Sequence, residues 1–289
     1  MVLNEGDLKL FYKLHPALLL YTNEQLKIVQ GISDLKSLMN IDIKLKKGIR
    51  DRLYEESNLI DNFISENPFD FDHEEIDIIK NWRDFIKGTF FVFKHYKKYS
   101  VFLESGEPGK VYGVLGLTDP LEFIIPRTPA YVETVLLPFK DCIIYDGIVA
   151  PYSISFGRNI RYSLKDSYDK AKATFGIIQK LPFEKPTAFE TRQSLLKYYL
   201  KDIELYQDSI NELISEDVNI KEIYFKEIAK KKVKMYKNKL REYKIGDCWF
   251  ALLGEMIIAS GKTKEEAELS SYKIISNEQK NLLYYFQIT

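Results

Sequence analysis

Between about residues 88 and 160 the apolar residues abandon helical spacing, and this change of period limits the chain to an α+β architecture. TFFVFKHY, YSVFLES, KVYGVLGL, YVETVLLPF and DCIIYDGIVAPYSI are short runs rich in β-branched and aromatic residues. They are separated by Lys97-Lys98, by Gly106-Glu107-Pro108-Gly109 and by turn residues such as Asp146-Gly147. Runs of this length with such punctuation predict a central five-stranded, mostly antiparallel sheet, rolled or closed into a small barrel. Asp119, Pro120 and Glu122 mark a helical turn between the third and fourth runs. Several runs are apolar on both faces, so the flanking helices are expected to cover the sheet.

The preceding region, 1–87, reads as helical, with apolar residues at helical spacing in TNEQLKIVQGISDLKSLM and GIRDRLYEESNLIDNFI. In its last helix Asp72 stands at an N-cap, Glu75 completes a capping box and Gly88 supplies the stop. Ile76, Ile79, Trp82, Phe85 and Ile86 are its expected buried face. After the sheet, Leu164, Tyr168, Ala171 and Phe175 place a helix over about 163–175, ended by Gly176.

LPFEKP then breaks the pattern and marks a boundary near 182. Thr187 and Glu190 form a capping box that opens a helix to about Ser215, with Leu196, Tyr199, Ile203, Tyr206, Ile210 and Leu213 along one seam. A second long helix carries Phe225, Ala229, Val233, Tyr236, Leu240 and Tyr243, so the two are expected to form a long antiparallel helical hairpin. CWFALL and MIIAS around Gly254-Glu255 then read as a β-hairpin, followed by a helix from about Lys264. The expected domains are 1–87, 88–182 and 183–289.

Composition bears on function mainly through charge. The 289 residues carry 42 basic and 42 acidic side chains, yet Lys221 to Lys244 alone has ten basic residues against three acidic ones. On a helix Lys226, Lys230, Lys234, Lys237, Arg241 and Lys244 share one flank. Glu204, Asp208, Glu212 and Glu216 recur every four residues on the preceding helix. Antiparallel pairing is expected to set Lys226 against Asp208 and Lys230 against Glu204. Lys234, Lys237, Arg241 and Lys244 then remain unpaired beside Lys197 and Lys201, as a candidate surface for a protein or for nucleic acid. Tyr198, Tyr236 and Tyr243 are the stacking candidates.

Motifs with chemistry are few. Gly261-Lys262-Thr263 lacks the earlier glycine of a phosphate-binding loop, since Met256 occupies that place, and Thr263 with Glu266 reads as a helix cap. His15, His73 and His95 are isolated, without metal-ligand spacing. The DFDHEEID cluster complements a helix N-terminus. Cys142 and Cys248 lie at strand entrances where a small apolar side chain fits. No metal or cofactor is expected. A second candidate recognition surface is Tyr145, Asp146, Arg158 and Arg161, at one end of the sheet.

The chain shows no secretory leader and no apolar run near ~20 residues, which points to a cytoplasmic protein without a membrane partner. Its excess of Lys over Arg, with abundant Ile, Tyr and Phe, is the usage of AT-rich genomes and fits a phage or mobile element. The expectation is a non-enzymatic protein-interaction module, with self-association among its modes, acting through its sheet surface or helical hairpin. The alternatives are nonspecific nucleic-acid binding at the base of the hairpin, and an enzyme of unknown class.

Overall fold

The structure, a computed structural model, describes residues 1–56, 58–106 and 109–288; Glu107 and Pro108 of the expected turn lie outside them. The fold is α+β, and the chain divides into two compact units, Met1–Lys185 and Pro186–Thr289. Among the described residues no helix is long and apolar enough to cross a membrane.

The first unit opens with helices α1 (Glu5–Leu26), α2 (Leu35–Met39), α3 (Ile43–Glu55), α4 (Asn58–Glu66) and α5 (His73–Asn81). Strands β1 (Ile86–His95), β2 (Ser100–Glu104) and β3 (Val111–Leu115) follow, then the single turn α6 (Leu121–Ile124). β4 (Ala130–Phe139), β5 (Cys142–Tyr145), β6 (Ala150–Pro151) and α7 (Arg158–Phe175) complete it. The capping box of Asp72 and Glu75 starts α5 as the sequence implies. Its end differs. The helix stops at Asn81, Trp82–Asp84 form one 3-10 turn, and Gly88 lies inside β1 rather than at a helix end. Pairing of Ile86 with Leu136 and of Gly88 with Thr134 draws this segment into the sheet, so tertiary pairing overrides the helical period.

The strands close a ring. β1 pairs with β2, β2 with β3, β3 with β5, β5 with β4, and β4 returns to β1. Only the β3–β5 contact in this ring is parallel. β4 presents one edge to β1 and shares the other between β5 and the short β6. A closed ring leaves no long unpaired edge.

Both outer sides of the ring are covered. Val101, Leu103 and Val111 pack beneath Leu164, Tyr168 and Ala171 of α7, and Phe93 stacks on Tyr168 at 4.8 Å. Phe139 of β4 meets Phe11 of α1, which also touches Trp82, a fully buried residue. On the face opposite α7, Phe90 makes edge contacts with Phe102 and Tyr112. Full burial of this many aromatic side chains is the main stabilising contribution to the unit.

The second unit contains α8 (Ala188–Tyr199), α9 (Gln207–Glu216), α10 (Val218–Glu242), β7 (Cys248–Leu253), β8 (Met256–Gly261), α11 (Lys264–Tyr272) and β9 (Leu283–Ile288). The Thr187–Glu190 capping box is present, with the Glu190 amide donating to Thr187 Oγ1 at 3.2 Å. The expected single helix to Ser215 is instead two. At the corner Asp202 Oδ1 accepts the Leu205 amide at 3.2 Å, and Lys231 Nζ takes the Leu200 carbonyl. An aspartate turn and a cation thus replace the helical bonds. Tyr198 and Tyr199 both pack on Tyr206 across the corner.

α10 serves two cores from different flanks. Ile220 and Ile228 join Leu196, Leu200 and Ile210 of the helical corner. Ala229, Val233, Tyr236 and Leu240 face Phe250, Leu252, Phe286 and Ile288. The sheet has the order β8-β7-β9, so the expected hairpin gains a third strand at the chain's end. Gly261 joins β8 to α11 as a strand–turn–helix junction. A Cβ there would lie 2.5 Å from the Ala267 amide nitrogen, so only glycine permits this approach.

Candidate functional site

Two places in the molecule concentrate polar groups, one in each unit. In the first unit α3 carries Lys47, Arg50 and Asp51 toward the sheet. Arg50 is fully buried, with Nη1 donating to Asp146 Oδ2 at 3.0 Å. Its Nε lies 2.9 Å from Asp51 Oδ1 and its Nη2 3.8 Å from Glu133, both ion contacts without hydrogen-bond geometry. Lys47 bridges Glu133 at 2.9 Å and Asp51 at 3.1 Å, and Lys87 reaches Asp51 at 3.2 Å. The charges of α3, β1, β4 and the β5–β6 loop therefore compensate one another locally. Burial works against ionisation of Asp51, but Arg50, Lys47 and Lys87 hold its carboxyl below the ordinary value.

Asp146 sits where the β5–β6 loop turns. Its Oδ1 accepts the Ile148 amide at 3.1 Å and the Thr134 hydroxyl at 3.4 Å. Burial pushes its carboxyl up to about 6, against the pull of Arg50. Beside it lies a cavity of about 210 Å³, lined by Phe11, His15 and Leu19 of α1, Leu38 and Met39 of α2, Ile43 and Lys46 of α3, and Asp146 through Ile148. His15 is buried, stacks on Phe11 at 5.1 Å and lies 3.4 Å from the Tyr54 hydroxyl. Burial, reinforced by Arg50 and Lys46, drives its pKa down to about 3, so the ring is neutral near pH 7. The floor of the cavity is thus polar but internally satisfied, while its mouth is apolar: Tyr12, Met39 and Ile43 are exposed, Ile43 by 55%.

No protein-family model, curated protein or solved structure matches this chain. The sites therefore stand on their geometry alone.

The residues singled out in the sequence separate into three groups. Tyr145 and Asp146 are buried, and burial raises the Tyr145 hydroxyl as well, so they do not form an open surface with the arginines. Arg158 and Arg161 are exposed in the first turn of α7, where Arg161 Nε donates to the Phe156 carbonyl at 3.1 Å. Cys142 is half-buried, and burial raises its thiol to about 11, which keeps it protonated.

The third group, the cations of the second unit, remains on the surface with a corrected pairing. Lys226 bonds Glu222 and Lys230 bonds Glu227 at 2.7 Å, both within α10. The expected partners Asp208 and Glu204 are not used. The break at Leu200–Tyr206 removes Glu204 from any helix, and i,i+4 and i,i+3 neighbours are already within reach. Among the described residues no carboxylate lies within 4 Å of Lys234, Lys237, Arg241 or Lys244. Lys231's bond to the Leu200 carbonyl sets Lys201 beside α10, and Lys197 and Lys201 are both exposed. Of the stacking candidates Tyr198 is buried, and Tyr236 is half-buried with its hydroxyl donating to the Glu255 carbonyl at 2.6 Å. Tyr243 is 77% exposed.

Sequence reasoning passed over Arg50 and the cavity, and weighed His15 only as a metal ligand. A signal for Arg50 existed, because it lies four residues before Tyr54 and three before Leu53 on the buried side of α3. An arginine in an apolar stripe requires a buried partner.

Proposed function

We propose that the first unit is a protein-docking module whose working element is the cavity between α1, α2, α3 and the β5–β6 loop. The observation that carries this reading is the exposed apolar rim of Tyr12, Met39 and Ile43 around a cavity of about 210 Å³. A cavity of about 150 Å³ lined by apolar groups accepts benzene, so this one is large enough for a phenyl or indole side chain. Exposed apolar surface around a pocket is the arrangement in which a partner's anchor residue is desolvated while the rim excludes water. The polar floor favours the same reading. Arg50, Thr134 and the Ile148 amide already engage Asp146, His15 is held neutral, and Lys46 Nζ donates to the Met39 carbonyl at 3.4 Å, so apolar surface and shape are the ligand's main requirement.

This reading moves docking away from the sheet, since α1 and α7 cover the ring's outer sides. The test is selection from a displayed random-peptide library against the full chain. Enriched peptides should share one aromatic or leucine anchor. Their binding should fall at least tenfold with Met39→Glu or Ile43→Glu and remain with Leu269→Glu, an exposed apolar control in the second unit. No enrichment, or enrichment that survives both rim changes, overturns the reading.

A further inference from the structure

The cavity accounts for nothing in the second unit, where α10 carries a different kind of surface. Lys234, Lys237 and Arg241 recur at intervals of three and four residues. They therefore lie within about 60° of one another around the helix, over about 10 Å of its length. Lys244 follows at the helix end in a left-handed backbone conformation, φ 58°. Earlier in the same helix Lys226 pairs with Glu222, Lys230 with Glu227 and Lys232 with Glu255 at 3.2 Å, while Lys231 holds the Leu200 carbonyl. Among the described residues Lys234, Lys237, Arg241 and Lys244 have no such carboxylate partner. Lys201 follows the Leu200 carbonyl that Lys231 holds, about one turn before Lys234, and Tyr243 is the exposed ring at the row's other end.

This surface lacks what a protein partner needs at the centre of an interface. Among the described residues its exposed large apolar side chains are Met235, Tyr243 and Ile245, set apart along the segment, and lysine, a residue depleted from interface cores, dominates the remainder. A row of cations that no carboxylate engages within 4 Å, with Glu242 offset from it around the helix, instead complements a regularly charged polymer. A phosphodiester backbone offers that pattern in any sequence, and an exposed tyrosine offers a stacking platform for a base.

We infer that Lys234, Lys237, Arg241 and Lys244, with Lys201 at their side, form a sequence-independent site for a nucleic-acid backbone. Tyr243 favours single strands, because only unpaired bases present a face to it.

Fluorescence anisotropy with the full chain, a labelled thymidine 20-mer and a labelled 20-base-pair duplex tests the site. Four phosphate contacts give a slope of log affinity against log salt of about −2.8 for the single strand and about −3.6 for the duplex. Raising salt from 50 to 200 mM should then weaken single-strand binding by about 50-fold and duplex binding by about 150-fold. The triple change Lys234→Glu, Lys237→Glu, Arg241→Glu should bring either slope to about −1 or abolish binding. Lys273→Glu, an exposed charge reversal elsewhere in the unit, should leave affinity within threefold. Tyr243→Ala should weaken the single strand about tenfold and leave the duplex unchanged. Absence of oligonucleotide binding at 50 mM salt overturns the site, as does a triple variant that binds like the parent. Capture of polyglutamate in place of both oligonucleotides also overturns it and assigns the row to an acidic protein.

Discussion

The two units solve the problem of charge in opposite ways. The first closes its sheet into a ring, covers the ring's sides with helices and carries Arg50, Asp146 and part of Asp51 and Glu133 inside. The second keeps an open three-stranded sheet with β8 and β9 as its edge strands, and places its charges on the solvent side of α10. Inside the first unit a charge stripped of its partner cannot recover its hydration, so each polar group is committed to one geometry. On α10 a cation can exchange a carboxylate for water or for a ligand at little expense. Changes to charge should therefore register as stability in the first unit and as binding in the second.

The sharpest way to break this contrast is Arg50→Met set beside Lys234→Met. Methionine keeps the apolar volume but leaves Asp146 without its buried cation, an arrangement that destabilises by about 3–5 kcal/mol. Lys234→Met should change stability by less than about 0.5 kcal/mol, since nothing in the fold depends on that charge. Chemical denaturation of the two variants measures the difference. An Arg50→Met loss below about 1 kcal/mol, within the range of a surface ion pair, would remove the distinction.

The second largest effect is pH dependence carried by His15. Its folded pKa of about 3 lies below the ordinary value of 6.5, so between these limits the unfolded chain binds more protons. The stability it contributes is complete above pH 6.5 and is lost as pH falls, by about 3 kcal/mol at pH 4. Asp146 acts with the opposite sign. Its folded pKa of about 6 exceeds the ordinary 3.8, so the penalty for ionising it is present above 6 and is relieved as pH falls toward 3.8. His15→Gln removes the first contribution and keeps the second. Relative to the parent, the variant should gain about 3 kcal/mol between pH 7 and pH 4, read from denaturation midpoints across that range. Parallel pH profiles for parent and variant would show that His15 is not held neutral by its surroundings.

How legible each unit was in the sequence follows from the same contrast. The β runs from Thr89 to Tyr145 were visible because short, β-branched and aromatic runs bounded by turn residues mark strands buried on both faces, and the rolled sheet follows from their number and short connections. The capping boxes at Asp72 and Thr187 were visible because capping is local, requiring only residues three apart. What escaped the sequence is non-local. Gly88 reads as a helix stop until β4 is present to pair with it, and the helix through Ser215 reads as continuous until Lys231 supplies a donor for the Leu200 carbonyl. β9 was missed because nothing near Leu283 shows that β7 has a free edge for it. The buried site lay further out of reach, since Arg50 and Asp146 are 96 residues apart and only the ring brings them together. The cations of α10 were legible as a row, but the partners assigned to its first half were not.

That misassignment allows the smallest and most exacting test. Lys226 bonds Glu222 one turn before it, with the glutamate N-terminal to the lysine, the better order for an i,i+4 pair. Both side chains are partly exposed, so the coupling should be only about 0.3–0.5 kcal/mol. A double-mutant cycle with Lys226→Ala and Glu222→Ala should recover that value, whereas a cycle pairing Lys226→Ala with Asp208→Ala should give none. The two cycles share one variant and differ only in whether the acid belongs to α9 or to α10. If the coupling runs to Asp208, the acids of α9 reach across to the cations of α10, and those of its second half are no longer distinguished by being free. If it runs to Glu222, Lys226 and Lys230 are neutralised within α10 itself, and among the described residues Lys234, Lys237 and Arg241 stand as a row of cations that no carboxylate engages.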